Sequence, residues 1–115
     1  MESQFEGEVI RAGPLEVWLN EDLVLANGRP LSLSVREQGV LAALASRTDR
    51  IVSRDKLFEL VWNTPRRPHN RSADVYVHKL RGKLETALPQ WRFIHTHVGF
   101  GYRFSAESES ALTRV

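Results

Sequence analysis

The stretch Arg71-Ser72-Ala73-Asp74-Val75-Tyr76-Val77-His78-Lys79-Leu80-Arg81-Gly82-Lys83-Leu84-Glu85-Thr86-Ala87 decides the fold of this chain. Stepping 100° per residue from Val75 at zero, Ala73, Val77, Leu80 and Leu84 fall between roughly 140 and 200°. The spacing predicts a helix over 71–87 with that apolar stripe in a core. The opposite side, within roughly 60° of Val75, carries Arg71, Ser72, Val75, His78, Lys79 and Gly82 and no acid. Asp74 and Glu85 sit off it. Such a face fits a DNA major groove, where cations meet guanine edges and an exposed valine meets a thymine methyl. An ordinary amphipathic helix with a solvated side has the same geometry, so the helix alone does not separate the two. Gly82 should cost about 1 kcal/mol against alanine. It either admits close approach to a phosphate or merely weakens the helix.

Upstream, Ser34-Val35-Arg36-Glu37 is a capping box. It starts a helix whose apolar positions Val40, Leu41, Leu44 and Ala45 recur at helical spacing, and Thr48-Asp49-Arg50 ends it. Ser53 caps a second helix, Arg54 to Trp62, with Leu57, Leu60 and Val61 on one side. Two prolines forbid a continuous helix through the polar loop Asn63 to Asn70. Before the helices come short apolar runs broken by turns: Val9 to Ala12, Leu15 to Leu19, Leu23 to Ala26 and, past the hairpin signal Asn27-Gly28, Arg29-Pro30-Leu31. They predict a small antiparallel sheet. After Pro89 the period becomes two, and Phe93 to His97 with Gly101 to Phe104 reads as a hairpin tipped by Val98-Gly99-Phe100-Gly101. The chain reads as an α+β fold. Residues 1–8 are expected to be a flexible polar arm, 9–105 the folded domain and 106–115 a flexible Ser/Glu-rich tail.

At 115 residues and 13.2 kDa the chain is one domain, long enough to bury a core without staples. Absence of cysteine excludes a disulfide framework, a thiolate zinc site and a cysteine nucleophile, and fits a reducing, cytoplasmic setting. The longest apolar run, Val40 to Ala45, is far short of the roughly 20 residues of a membrane span, so no membrane association is expected. The acidic opening residues do not read as a secretory signal. Net charge is only +2, yet residues 50–103 hold eleven Lys/Arg against four acids, +7, while the rest carries −5. That asymmetry fits a polyanion partner or a solvated charged surface. Thirteen of the sixteen cations are Arg, which favours phosphate and guanine contacts.

No Gly-x-Ser-x-Gly, Walker loop or His-Glu-x-x-His is present, so the chain does not read as an enzyme and implies no cofactor. His95 and His97 point to one strand face. No third or fourth ligand lies nearby in sequence, so no metal site is expected. Trp18 and Trp91 read as packing residues, and Trp62 as half core with its indole N–H toward a phosphate.

The order is sheet, helix, helix, loop, basic helix, hairpin. With Leu31-Ser32-Leu33-Ser34-Val35-Arg36-Glu37, Val52-Ser53-Arg54-Asp55-Lys56-Leu57, Val61-Trp62, Arg71 to Leu84 and Gly99-Phe100-Gly101-Tyr102-Arg103-Phe104, it resembles the winged-helix effector domain of OmpR/PhoB-type bacterial response regulators. The resemblance covers roughly residues 9–105. It implies sequence-specific binding of double-stranded promoter DNA, with helix 71–87 in the major groove and wing 93–104 at the adjacent minor groove. It implies base contacts from Ser72, Val75, Tyr76, His78 and Lys79, and backbone contacts from Trp62, Arg71, Arg81, Thr96, Gly99 and Tyr102. The loop with Arg66 and Arg67 corresponds to a segment that touches neighbouring protomers or RNA polymerase, and tandem half-sites imply a homodimer on DNA.

The chain departs from that pattern. Many members carry an Arg just before the wing glycine; here Val98 stands there, preceded by His97, and these two are the candidate minor-groove contacts. Gln38 replaces a usual aromatic in the first helix, Gly39 follows it, and Gly82 interrupts the third. Residues 1–8 leave no room for a receiver domain, so the chain reads as an excised or stand-alone effector domain. The alternative reading is a winged-helix protein-interaction module that contacts RNA polymerase or another regulator.

Overall fold

Leu15, Val17, Val24 and Ala26 are buried and alternate with more exposed neighbours, the period-two burial of a sheet with one face on a core. They belong to β2 (Leu15–Trp18) and β3 (Leu23–Ala26), flanked by β1 (Val9–Ala12) and β4 (Arg29–Pro30) in an antiparallel sheet ordered β1–β2–β3–β4. Asn27 and Gly28 both take positive φ, 54° and 79°, as the tight turn between β3 and β4 requires. The computed structural model describes residues 8–109. Of the expected arm over 1–8, only Glu8 lies among them, its carbonyl accepting from the Leu19 N–H at 3.1 Å.

Three helices follow this sheet, and their buried residues join its inner face in one core. The first, α1 (Val35–Ala45), opens on the expected capping box: the Glu37 N–H donates to Ser34 Oγ at 3.1 Å and the Ser34 N–H donates to Glu37 Oε1 at 2.8 Å. Ser53 caps α2 (Arg54–Trp62), which ends on Asn63 in the left-handed conformation. The third, α3 (Ser72–Ala87), buries Ala73, Val77, Leu80 and Leu84, the four residues its spacing assigns to the core. It starts one residue later than 71–87 because Arg71, at φ −110° and ψ 19°, is the non-helical cap, and the Asn70 side chain accepts from the Ser72 N–H at 2.8 Å.

A second sheet, ordered β5–β7–β6, joins β5 (Ile51–Val52), β6 (Trp91–His97) and β7 (Gly101–Ser108). The hairpin thus runs over 91–108, longer than the expected 93–104. The flexible tail expected over 106–115 is corrected at its start. Trp91 pairs with Ser108 and Arg92 with Glu107, and the Glu109 N–H donates to the Gln90 carbonyl at 2.6 Å. The reason is that Trp91 begins the strand by packing on Gly13, where an added Cβ would lie 2.6 Å from its ring. The backbone of β6 from Trp91 onward then needs partners, and polar side chains do not stop Ala106 to Ser108 from supplying them. Residues 110–115 lie outside the described residues. No described helix is long and apolar enough to cross a membrane.

Candidate nucleic-acid interface

The outward side of α3 is open. Val75 is 46% exposed, Arg71, His78, Lys79 and Gly82 are exposed, and Ser72 is half-buried. Neighbouring elements frame both edges of this face. On one edge stands the wing: Arg81 Nη2 donates to Thr96 Oγ1 at 2.8 Å, and the Tyr102 hydroxyl donates to Asp74 Oδ1. The Arg81 Nε is buried without a partner among the described residues. On the other edge Tyr76 tilts against Trp62, ring centroids 5.8 Å apart, and Trp62 stacks on Phe58 at 4.6 Å. Cations lie over both rings. Lys79 Nζ is 5.1 Å from the Tyr76 centroid and the Arg36 guanidinium 4.9 Å from that of Trp62.

Asp74, near the start of this basic helix, is neutralised by its surroundings. Arg54 Nε donates to its Oδ1 at 2.8 Å, beside the Tyr102 hydroxyl. Burial alone would raise the Asp74 carboxyl, but the Tyr102 hydroxyl, the Arg54 guanidinium and the charge of Arg71 outweigh it and hold the carboxyl below its usual value. The network thereby fastens α2, α3 and β7 together. Because the folded value is depressed, its contribution to stability is full above the unfolded aspartate range, about pH 4, and is lost as pH falls below it through the lowered value. Thermal melts from pH 7 to pH 2 should show Asp74→Asn losing stability against wild type at neutral pH. The gap should close only in that acid window.

Other residues singled out in the sequence are placed less openly. Tyr102 is 6% exposed, and burial together with the Asp74 carboxylate pushes its phenol above the ordinary value. Its hydroxyl is engaged with Asp74 and so supports the start of α3. Arg66 is tied down, donating to Asp55 Oδ1 at 2.6 Å and to the Asn70 carbonyl at 2.9 Å, while Arg67 is exposed. His97 Nε2 accepts from Arg103 Nε at 3.0 Å, and His95 Nε2 lies 2.9 Å from the Ser105 carbonyl oxygen. Gly99, at φ +84°, and Val98 occupy the open wing tip.

Sequence reading missed Arg36, Arg54 and Lys83. Arg36 also donates to the Val61 carbonyl at 3.0 Å. Lys83, beside the outer face, pairs with the buried Glu37 carboxylate at 2.7 Å, joining α1 to α3. Burial would raise that carboxyl, but the Lys83 ammonium and the Ser34 cap lower it overall. The capping box gave Glu37 a local role at the helix start; nothing local pointed to its burial or its cation. Gly82 has open space where a Cβ would go and no positive φ, so it is there without steric need. Gly82→Ala should raise stability in urea unfolding by about 1 kcal/mol.

A basic helix open on one side, preceded by a capped helix and flanked by a β-hairpin, defines a winged helix-turn-helix. Residues 28–104 match the family described as "Transcriptional regulatory protein, C terminal". The chain belongs to this family, the OmpR/PhoB-type DNA-binding domains of transcription regulation. It is 40% identical over 95 residues to the transcriptional regulatory protein TctD of Salmonella typhimurium, covering 83% of this chain and 41% of that protein. It is 38% identical over 95 residues to PrrA of Mycobacterium leprae, covering 83% and 40%. The chain thus spans about two fifths of the length of these relatives. The DNA-binding domain of Klebsiella pneumoniae RstA, solved in complex with the RstA box, superposes with a TM-score of 0.76 at 28% identity, covering 85% of this chain and 97% of that one. The DNA-binding domain of Escherichia coli CpxR shares the fold, with a TM-score of 0.77 at 23% identity over 85% of this chain and 96% of that one.

Proposed function

We propose that this domain reads a specific sequence in double-stranded DNA with α3 in the major groove and the β6–β7 wing at the adjacent minor groove. The observation that carries this is the acid-free outer face of α3, flanked by the wing and by the Trp62–Tyr76 pair, with the acid nearest it already neutralised. Arg71 at the helix start, the Arg81–Thr96 pair, Trp62 and the Gly99 backbone grip phosphates and set the register. Ser72, Val75, Tyr76, His78 and Lys79 meet base edges. Tyr102 acts through Asp74. The exposed Arg67 loop faces RNA polymerase or a neighbouring protomer when two copies occupy tandem half-sites. The role is regulatory, not enzymic, and is exercised in the cytoplasm.

The test is fluorescence anisotropy against duplexes selected from a randomised pool, repeated at several salt concentrations. A selected site should bind about 10³-fold or more above random duplex. Lys79→Ala should cost about 1–3 kcal/mol and relax specificity at one base pair, whereas Arg71→Ala should weaken all duplexes alike and lower the salt slope by about one. Equal losses on selected and random DNA for Lys79→Ala would remove it from base reading. Weak, uniform binding of every duplex by the wild-type chain would favour the protein-interaction reading instead.

A further inference from the structure

The wing tip His97-Val98-Gly99-Phe100-Gly101 contains neither Lys nor Arg. Past His97, its two side chains are apolar and stand in solvent: Val98 is 87% exposed and Phe100 is 72% exposed. The turn that carries them has a defined shape, since Gly99 takes φ +84° and the Phe100 N–H donates to the His97 carbonyl at 2.8 Å. Arg103, the next cation along the hairpin, is held at the base of the turn: its Nε donates to His97 Nε2 at 3.0 Å and its Nη2 lies 3.9 Å from Glu107. Below the tip, one rung of the wing is bound to two points of α3, Tyr102 to Asp74 and Thr96 to Arg81. Asp74 and Arg81 lie on the edge next to His78, so the tip projects beside the outer face of α3. With α3 in a major groove, that position is the neighbouring minor groove.

We propose that Val98 and Phe100 form an uncharged wedge that enters this minor groove and partly unstacks one base step. The proposal rests on the DNA-binding reading above and adds to it a second kind of specificity. An apolar side chain gains by leaving water, not by releasing counterions, so its contribution is insensitive to salt. It also pays for unstacking, and so favours flexible pyrimidine–purine steps, where an arginine in the same place would favour the negative potential of narrow A-tracts. The wedge therefore discriminates by deformability at base pairs that α3 does not touch.

The test uses the whole chain and a selected duplex carrying a fluorescent adenine analogue at the flanking step. Binding of the wild-type chain should raise the analogue's fluorescence as the base unstacks. The double variant Val98→Ser/Phe100→Ser should keep its melting temperature, because both side chains are exposed. It should lose about tenfold in affinity, keep the salt slope and abolish the fluorescence rise. Unchanged affinity and fluorescence in the variant would overturn the wedge while leaving the α3 reading intact, and would leave the tip to a protein partner. A loss of affinity accompanied by a shallower salt slope would also overturn it, because the tip would then be acting on phosphates. Failure of the wild-type chain to prefer any duplex would remove the DNA reading itself. Val98→Arg gives a converse check: it should steepen the slope by about one and shift preference toward A-tracts.

Discussion

Gly101→Ala should destabilise the domain by about 3 kcal/mol or more, the sum of backbone strain and forced displacement. Gly101 opens β7 at φ +141°, a conformation that side chains disfavour. Space is the larger obstacle. A Cβ there would lie 2.1 Å from the Val52 carbonyl oxygen and 2.8 Å from Ser53 Cα. Neither is the end of a flexible side chain. Val52 pairs with β7 and Ser53 caps α2, so the wing cannot give way without loosening α2. Thermal unfolding should show a fall in melting temperature of more than about 12 °C. Gly99→Ala is the control: its φ is +84° but the space is open, so only the conformational cost of about 1–2 kcal/mol applies. Equal effects at the two positions would remove the steric explanation.

Phe104→Ala should cost about 3–5 kcal/mol, a large share of the roughly 5–15 kcal/mol by which a domain is ordinarily stable. Phe104 is fully buried in β7, the middle strand of its sheet, and stacks on Phe93 at 6.1 Å and 19°. Its carbonyl accepts from the Asp49 N–H at 2.8 Å, so the strand that holds the ring also fixes the end of the α1–β5 connection. Removing the ring leaves a void between the wing sheet and the helices that rigid neighbours fill only in part. Phe104→Leu should keep much of the volume and lose clearly less, about 1–2 kcal/mol. Urea unfolding of the two variants checks the difference. Since Phe104 faces the core, DNA affinity measured on the folded fraction should be unchanged in both.

The local pattern was enough for most elements. Capping at Ser34 and Ser53, the Asn27-Gly28 turn and the period of 3.6 in α3 all act over three or four residues, the range across which one residue biases the next. The two-residue strand β5 left no such trace, because a pair such as Ile51-Val52 has no period; its pairing with Arg103 and Tyr102 exists only once the wing has folded back. The same division holds at the site. Which side of α3 is buried, and which residues stand on its outer face, can be read from spacing alone, because helical geometry turns spacing directly into direction. Which charges on and around that face are left to meet a ligand depends on how the elements pack. Arg54 and Asp74 are 20 residues apart, Tyr102 and Asp74 28, and Lys83 and Glu37 46. Each pair forms because packing of the core brings its elements together. No local preference records such a meeting, and a charged group's partner is fixed by distance in space, not along the chain.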